Sequence, residues 1–304
     1  MKPTDWLVIL IAGCAFGASF GLNELLLAEL GPLTISALRV GIAAIGCWVW
    51  LLARDRHGLA QAVVTSRLAL LGVFQFALPF ALLPFAQMHI TSSVAGIANA
   101  LTPVATLVVS LVLVTGERVG AAKLSGLGFG ALGAFVLVSG NGHETGSDPL
   151  YVLLAVLATF SYALALNIAK GLGGVPATVA ITWSLTFGFV FIAPVAWLVE
   201  GVPGSISPKT IASISVLGLG LTAVPFMVLY TLMQRVGAIN VSLVTFVAPV
   251  SALAIGVFLF DEALTNANLV GATFVFVGLL CVDGRLVGLL PGAKWANLWA
   301  RADV

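Results

Sequence analysis

Residues 93–114 read SVAGIANALTPVATLVVSLVLV, and residues 240–260 read NVSLVTFVAPVSALAIGVFLF. Neither stretch carries a charge, and each is long enough to cross a hydrocarbon core about 30 Å thick as an α-helix. Each holds a proline in a similar setting, Thr102-Pro103-Val104 in the first and Ala248-Pro249-Val250 in the second. An acidic motif follows each, Gly116-Glu117 and Asp261-Glu262. Working outward, the same order recurs at an offset of 144 to 146. Pro79-Phe80 falls on Pro225-Phe226, and Gly126 and Gly133 fall on Gly271 and Gly278. Phe16, Asn23 and Arg39 fall on Phe160, Asn167 and Trp183. Apolar helices resemble one another by composition, so a single match is weak; the ordered series points to a duplication.

The composition fits a chain that lives in lipid. Of 304 residues, 60% are hydrophobic and only 8% charged, too few to cover the surface of a soluble domain of this size. Mean hydropathy is +1.14. The net charge of +1 offers no basic surface for nucleic acid. Cys14, Cys47 and Cys281 lie inside apolar runs, without disulfide or metal spacing, so no metal or cofactor is expected. The first apolar run, from Trp6 to about Ala28, is too long for a signal-peptide core and reads as a retained helix.

Ten transmembrane helices are expected, at 6–28, 33–53, 68–86, 93–114, 121–139, 150–169, 177–199, 210–233, 240–260 and 266–287. With the N-terminus inside, one side of the membrane collects Lys2, Arg54, Arg56, Arg67, Arg118, Lys123, Lys170, Arg235, Arg285, Lys294 and Arg301. The other side holds only Lys209. This sorting places both termini in the cytoplasm of a bacterial-type cytoplasmic membrane. The expected organisation is a first five-helix repeat over 1–140, a second over 147–288 and a cytoplasmic amphipathic tail over 289–304. Five is odd, so the second repeat enters the membrane from the opposite side. The fold class is therefore all-α, ten helices as two inverted repeats around a central cavity, the symmetry that alternating-access carriers use.

Paired prolines in corresponding helices point to a binding site. Pro79 and Pro225 interrupt helices 3 and 8, and Pro103 and Pro249 lie in helices 4 and 9; each deletes a backbone hydrogen bond and kinks its helix or frees a carbonyl. Helix 4 carries Asn99, Thr102, Thr106 and Ser110 on one face, helix 9 Ser242, Thr245 and Phe246, and helix 1 Phe16, Ser19, Phe20 and Asn23. Isolated Ser and Thr residues commonly bond their own helix backbone. The amide of Asn99 needs an external partner. Phe80, Tyr162, Trp183, Phe226 and Tyr230 supply aromatic walls for an organic solute. Arg39 and Glu24 are the outlying charges, costly at about 3 kcal/mol for insertion. They form an outer gate as a pair, or hold a carboxylate-bearing substrate, or else Arg39 snorkels while Glu24 sits at the water boundary. Glycine stripes at Gly13, Gly17 and Gly21, and at Gly126 and Gly130, allow close helix contacts.

At these motifs the sequence resembles the drug/metabolite transporter superfamily, specifically its ten-helix EamA-type carriers, which include bacterial amino-acid and metabolite exporters. The resemblance rests on Phe16-Gly17-Ala18-Ser19-Phe20, Arg39, Thr102-Pro103-Val104 with Gly116-Glu117-Arg118, and Ala248-Pro249-Val250 with Asp261-Glu262-Ala263-Leu264, and it spans about residues 5 to 287. It implies secondary transport of small organic solutes, with amino acids, including aromatic ones, as the substrates of similar exporters. Another small metabolite or a drug, or a solute channel, is the alternative. The partners expected are a small molecule and the bilayer, with the chain acting as a monomer or a homodimer.

An enzyme is not expected: there is no H-E-x-x-H, no G-x-S-G and no intramembrane aspartate pair. The topology makes a direct prediction. A cysteine introduced at Ala60 will react with an impermeant maleimide only from the cytoplasmic side, and external labelling in intact cells would overturn the orientation.

Overall fold

The computed structural model describes residues 1–54, 66–90, 95, 98–113, 120–139, 149–172, 174–259 and 266–283. The acidic motifs at Glu117, Asp261 and Glu262 and the amphipathic tail at 289–304 lie outside the described residues. Among the described residues the main helical elements are α1 (Pro3–Leu27), α2 (Pro32–Arg54), α3 (Ser66–Gln87), α4 (Thr102–Leu113), α5 (Ala121–Ser139), α6 (Pro149–Lys170), α7 (Ala177–Glu200), α8 (Pro208–Val236), α9 (Ala238–Ser242 continuing as Val244–Leu259) and α10 (Asn266–Asp283). The protein is an all-α membrane protein, with no strand among the described residues. Among the described residues, six helices are long and apolar enough to cross a membrane, and α4, α5, α9 and α10 are shorter apolar helices. Polarity is arranged inside out: Leu198 is 86% exposed, while Asn23 is 2% exposed. Such an arrangement suits lipid, not water.

Helix partners follow the duplication. α5 packs on α10 and α2 on α7. α1 packs on α9 as α6 packs on α4; α3 packs on α6 as α8 packs on α1; and α3 packs on α7 as α8 packs on α2. Exchanging helices 1–5 with helices 6–10 maps this set onto itself, as a two-fold relation between the halves requires. Close approach in the α5–α10 pair depends on glycine. A Cβ on Gly278 would lie 2.6 Å from the backbone nitrogen of Gly130 and 2.7 Å from the carbonyl oxygen of Gly126.

The prolines at 79 and 225 do not break their helices. Each sits just after a π-helical segment, Val73–Ala77 in α3 and Val216–Ala223 in α8, so the chain widens by one residue per turn and continues. In α3 the π register aims the Phe74 carbonyl at the nitrogen of Pro79, which has no hydrogen; Ser161 Oγ donates to that carbonyl instead, at 2.7 Å. Pro84, inside α3, strands the Phe80 carbonyl four residues back, and Ser36 Oγ donates to it. α4 and α9 are discontinuous: turns at Leu101 and Leu243 precede Thr102 and Val244. Helix 4, expected as one run from 93, therefore has its α4 segment begin at Thr102. Pro103 is its second residue, where a missing N–H costs nothing. Thr102 Oγ1 donates to the carbonyl of Asn99, which Pro103 leaves without its helical donor, at 2.6 Å.

Ties at the helix ends complete the frame. Glu200, ending α7, accepts from the Leu33 and Thr34 amides at 2.9 and 2.8 Å and caps the start of α2. Asp5 pairs with Arg235 at 2.8 Å, joining the start of α1 to the end of α8. At the opposite ends of those helices, Glu29 accepts from Ser207 Oγ at 2.9 Å, and the Thr210 and Ser207 hydroxyls hold its carboxyl below the ordinary value.

Gly278→Val will destabilise the protein by about 1–3 kcal/mol or more through overpacking, read as a lower melting temperature in detergent. Gly128→Ala, where an added Cβ meets nothing within 4 Å, will leave that temperature unchanged or slightly raised.

Candidate functional site

The discontinuities of α4 and α9 and the π turn of α3 border one cavity. It contains about 730 Å³ of space not filled by atoms, counting its open mouth. Its lining draws on α1 (Phe16, Ser19, Phe20, Asn23), α2 (Arg39), α3 (Gln75, Phe80, Leu83, Pro84), the α4 region (Asn99, Thr102), α6 (Tyr162, Leu166), α8 (Phe226, Leu229, Tyr230) and α9 (Val241, Ser242, Val244, Thr245). A ring cluster organises it. Phe76, fully buried behind the wall, meets Phe226 at 5.0 Å and Phe80 at 5.8 Å between centroids. Phe80 and Phe226 occupy the same position in the two halves and meet each other at 6.2 Å. Phe16 adds to Phe226 at 5.2 Å, and Tyr162 to Phe80 at 6.3 Å.

Arg39 is 5% exposed and is the only charged residue in the lining among the described residues. Its Nε donates to Thr222 Oγ1 at 2.8 Å, and its guanidinium carbon lies 3.9 Å from the Phe80 ring centroid. Thr222 in turn donates to the Leu217 carbonyl, five residues back in the π segment of α8, at 2.7 Å. Two features thus prepare the cation's seat: a ring face, worth about 2 kcal/mol when desolvated, and a hydroxyl oriented by a π turn. One of the five guanidinium N–H donors is used by Thr222, leaving a planar fork for an anion.

The expected residues divide accordingly. Phe16, Ser19, Phe20, Asn23, Phe80, Asn99, Thr102, Tyr162, Phe226, Tyr230 and Thr245 all face the cavity, together with Arg39. Trp183 does not. It is half-buried against Trp48, with centroids 5.2 Å apart, and against Phe187, while Trp48 Nε1 donates to Thr186 at 2.9 Å. It was expected among the aromatic walls of the cavity, but its side chain packs α7 on α2. Glu24 is exposed and lies outside the lining, and no Glu24–Arg39 ion pair forms among the described residues. His89 stacks on Tyr151 at 3.9 Å, away from the cavity.

The hydroxyls are largely committed to their own helices. Ser19 donates to the Phe16 carbonyl, Thr102 to Asn99, Ser242 to Ile239 and Thr245 to Ser242. The polar groups left for a solute are the amides, the tyrosines and Arg39. Asn23 Nδ2 reaches Gln87 Oε1 at 3.4 Å, but its Oδ1, Gln75 Oε1 and the Tyr230 hydroxyl are buried without a partner among the described residues. Sequence reasoning missed Gln75, Leu83, Pro84, Leu166, Leu229, Val241 and Val244. Gln75 had a usable signal, an amide in an uncharged run four residues before a proline. The aliphatic residues had none. Tyr230 also borders a second space of about 1170 Å³ between the end of α6, the start of α7 and the end of α8. It is therefore a shared wall between that vestibule and the central cavity.

A family model described as the EamA-like transporter family matches residues 5–139 and again 149–282. Protein PecM of Dickeya dadantii is 26% identical over 220 residues, covering 71% of this chain and 73% of that protein. An uncharacterized transporter of Archaeoglobus fulgidus is 23% identical over 284 residues, 91% of this chain and 98% of its own. A crystal structure of another protein superposes over the whole of both chains with a TM-score of 0.76 at 18% identity, which shows a shared fold. Asn99→Leu is expected to lower solute flux by about 10-fold or more with normal membrane insertion, because it removes a polar wall. Trp183→Ala will lower the melting temperature more than it lowers flux per folded molecule, and the reverse ranking would return Trp183 to the site.

Proposed function

The chain belongs to the EamA-like transporter family, and on that premise we propose that it exports small organic metabolites, amino acids above all and aromatic ones among them, across a cytoplasmic membrane by alternating access. Membership makes it a multi-pass membrane transporter of a small solute. The observation that supports the finer reading is Arg39, a lone buried cation in a cavity walled by Phe16, Phe20, Phe80 and Phe226. A carboxylate matches the guanidinium fork, and the rings suit an apolar remainder.

The cycle follows from the duplication. The repeats over 1–140 and 147–288 lie inverted, each with five helices, and both termini face the cytoplasm. When the halves exchange conformations, an opening on one side becomes an opening on the other. The lining comes from both halves of one chain, so a monomer is a complete carrier. Discontinuous α4 and α9 supply places where backbone geometry changes without breaking a long helix, and Tyr230 separates the central cavity from the vestibule beside α6 and α8.

Proteoliposomes test this reading directly. Labelled amino acids, other carboxylates and amines are offered with and without a proton gradient, and saturable uptake of amino acids is expected. Arg39→Gln will reduce carboxylate uptake by about 10- to 100-fold, the loss of a charge-assisted hydrogen-bonded contact. Arg39→Lys will retain part of it. Unchanged uptake in Arg39→Gln removes the guanidinium from the site, and resistance of expressing cells to toxic amino-acid analogues separates export from import.

A further inference from the structure

Polar side chains in a membrane interior are costly to leave unpaired, so each one without a protein partner calls for an explanation. Gln75 has none of the local solutions that the cavity hydroxyls use. It is 3% exposed, it lines the cavity, and its Oε1 has no hydrogen-bond partner among the described residues. Rotation about its last torsion presents either end of the amide to the cavity. It sits in the π segment of α3, where the widened turn directs its side chain inward.

The duplication adds an independent argument. With the offset of 146 that aligns Pro79 with Pro225, Gln75 corresponds to Leu221 in the π segment of α8. Arg39 corresponds to Trp183, which lies outside the cavity. The scaffold is common to both halves, whereas the cation and this buried amide belong to the first half alone. At these two positions the cavity is chemically lopsided although the frame around it is shared.

We propose that Gln75 is a specificity-determining residue of the transport site, forming with Arg39 a two-point clamp. The guanidinium takes the carboxylate of the solute, and the Gln75 amide oxygen accepts a hydrogen bond from its nitrogen. Asn23 Oδ1, also buried and unpartnered, supplies a second acceptor. Among the described residues the cavity lining contains no carboxylate, so a neutral amide receives the ammonium group. Such a clamp selects a zwitterion with an uncharged remainder. It rejects a carboxylic acid without the nitrogen, which leaves buried acceptors unfilled, and an amine without the carboxylate, which adds a second cation beside Arg39. The clamp rests on the amino-acid reading above.

The experiment uses the full chain in proteoliposomes, with phenylalanine and leucine, their des-amino acids (3-phenylpropionate and 4-methylpentanoate) and phenethylamine as probes. The parent protein is expected to favour each amino acid over its des-amino analogue by about 100-fold or more, and to ignore the amine. Gln75→Leu, which installs the residue of the other half, will bring that ratio to within about 3-fold while uptake of the des-amino acids persists. Gln75→Asn will recover part of the preference. Equal loss for both probe classes in Gln75→Leu would make Gln75 a structural residue and overturn the clamp. A parent protein that carries acids and amino acids alike would also overturn it, with the carrier reading intact. A parent protein that takes up none of the probes would overturn the amino-acid reading itself.

Discussion

A carbonyl stranded by proline inside the bilayer has to be met from within the protein, because lipid offers no donor. That constraint shapes the centre of this molecule. Ser36 of α2 donates to the Phe80 carbonyl that Pro84 leaves free, Ser161 of α6 donates to the Phe74 carbonyl opposite Pro79, and Thr102 donates to the Asn99 carbonyl opposite Pro103. The first two bonds tie α3 to its neighbours on either side. They fix the Phe80 backbone, and the ring of Phe80 is the face on which Arg39 rests. The irregular turns and the cavity are therefore one construction: the backbone departs from the regular helix where it borders the space that the polar side chains line.

The second organising feature is the tension between a symmetric frame and an asymmetric site. Helix pairs exchange under the two-fold relation, matched prolines follow matched π segments, and Phe80 meets its own counterpart Phe226 at the centre. The frame is shared between the halves, but the cavity lining is not. Arg39 and Gln75 face the cavity, whereas Trp183 packs outside it and Leu221 is aliphatic. Thr222 shows how the halves cooperate: a second-half hydroxyl, oriented by a second-half π turn, seats a first-half cation.

Several readings survive contact with the structure for reasons visible in the residues. Helical spans were legible because lipid-facing apolar runs have a length fixed by the bilayer. Phe16, Ser19, Phe20 and Asn23 were legible because one helical face repeats every three to four positions. Trp183 misled because an aromatic residue in a membrane helix fits a cavity wall and a helix–helix seam equally well in sequence, and this ring found its partner in Trp48. Glu24 lies outside the cavity lining for a related reason. Proximity of two helices in order does not say which face each charge occupies.

What the sequence by itself determined is the all-helical, membrane-spanning character of the chain and the ordered recurrence of its motifs, because these follow from run length and composition along the chain. The tertiary structure alone decided which polar groups are spent and which are free. Hydroxyls of Ser19, Thr102 and Thr245 look like ligands in sequence, yet they close on carbonyls of their own helices. The Gln75 amide looks incidental, yet it ends buried in the lining of the same cavity as Arg39, with its Oε1 unpartnered among the described residues. That difference depends on the distance from each polar atom to every neighbour in space, a quantity set by packing between helices and absent from any one segment.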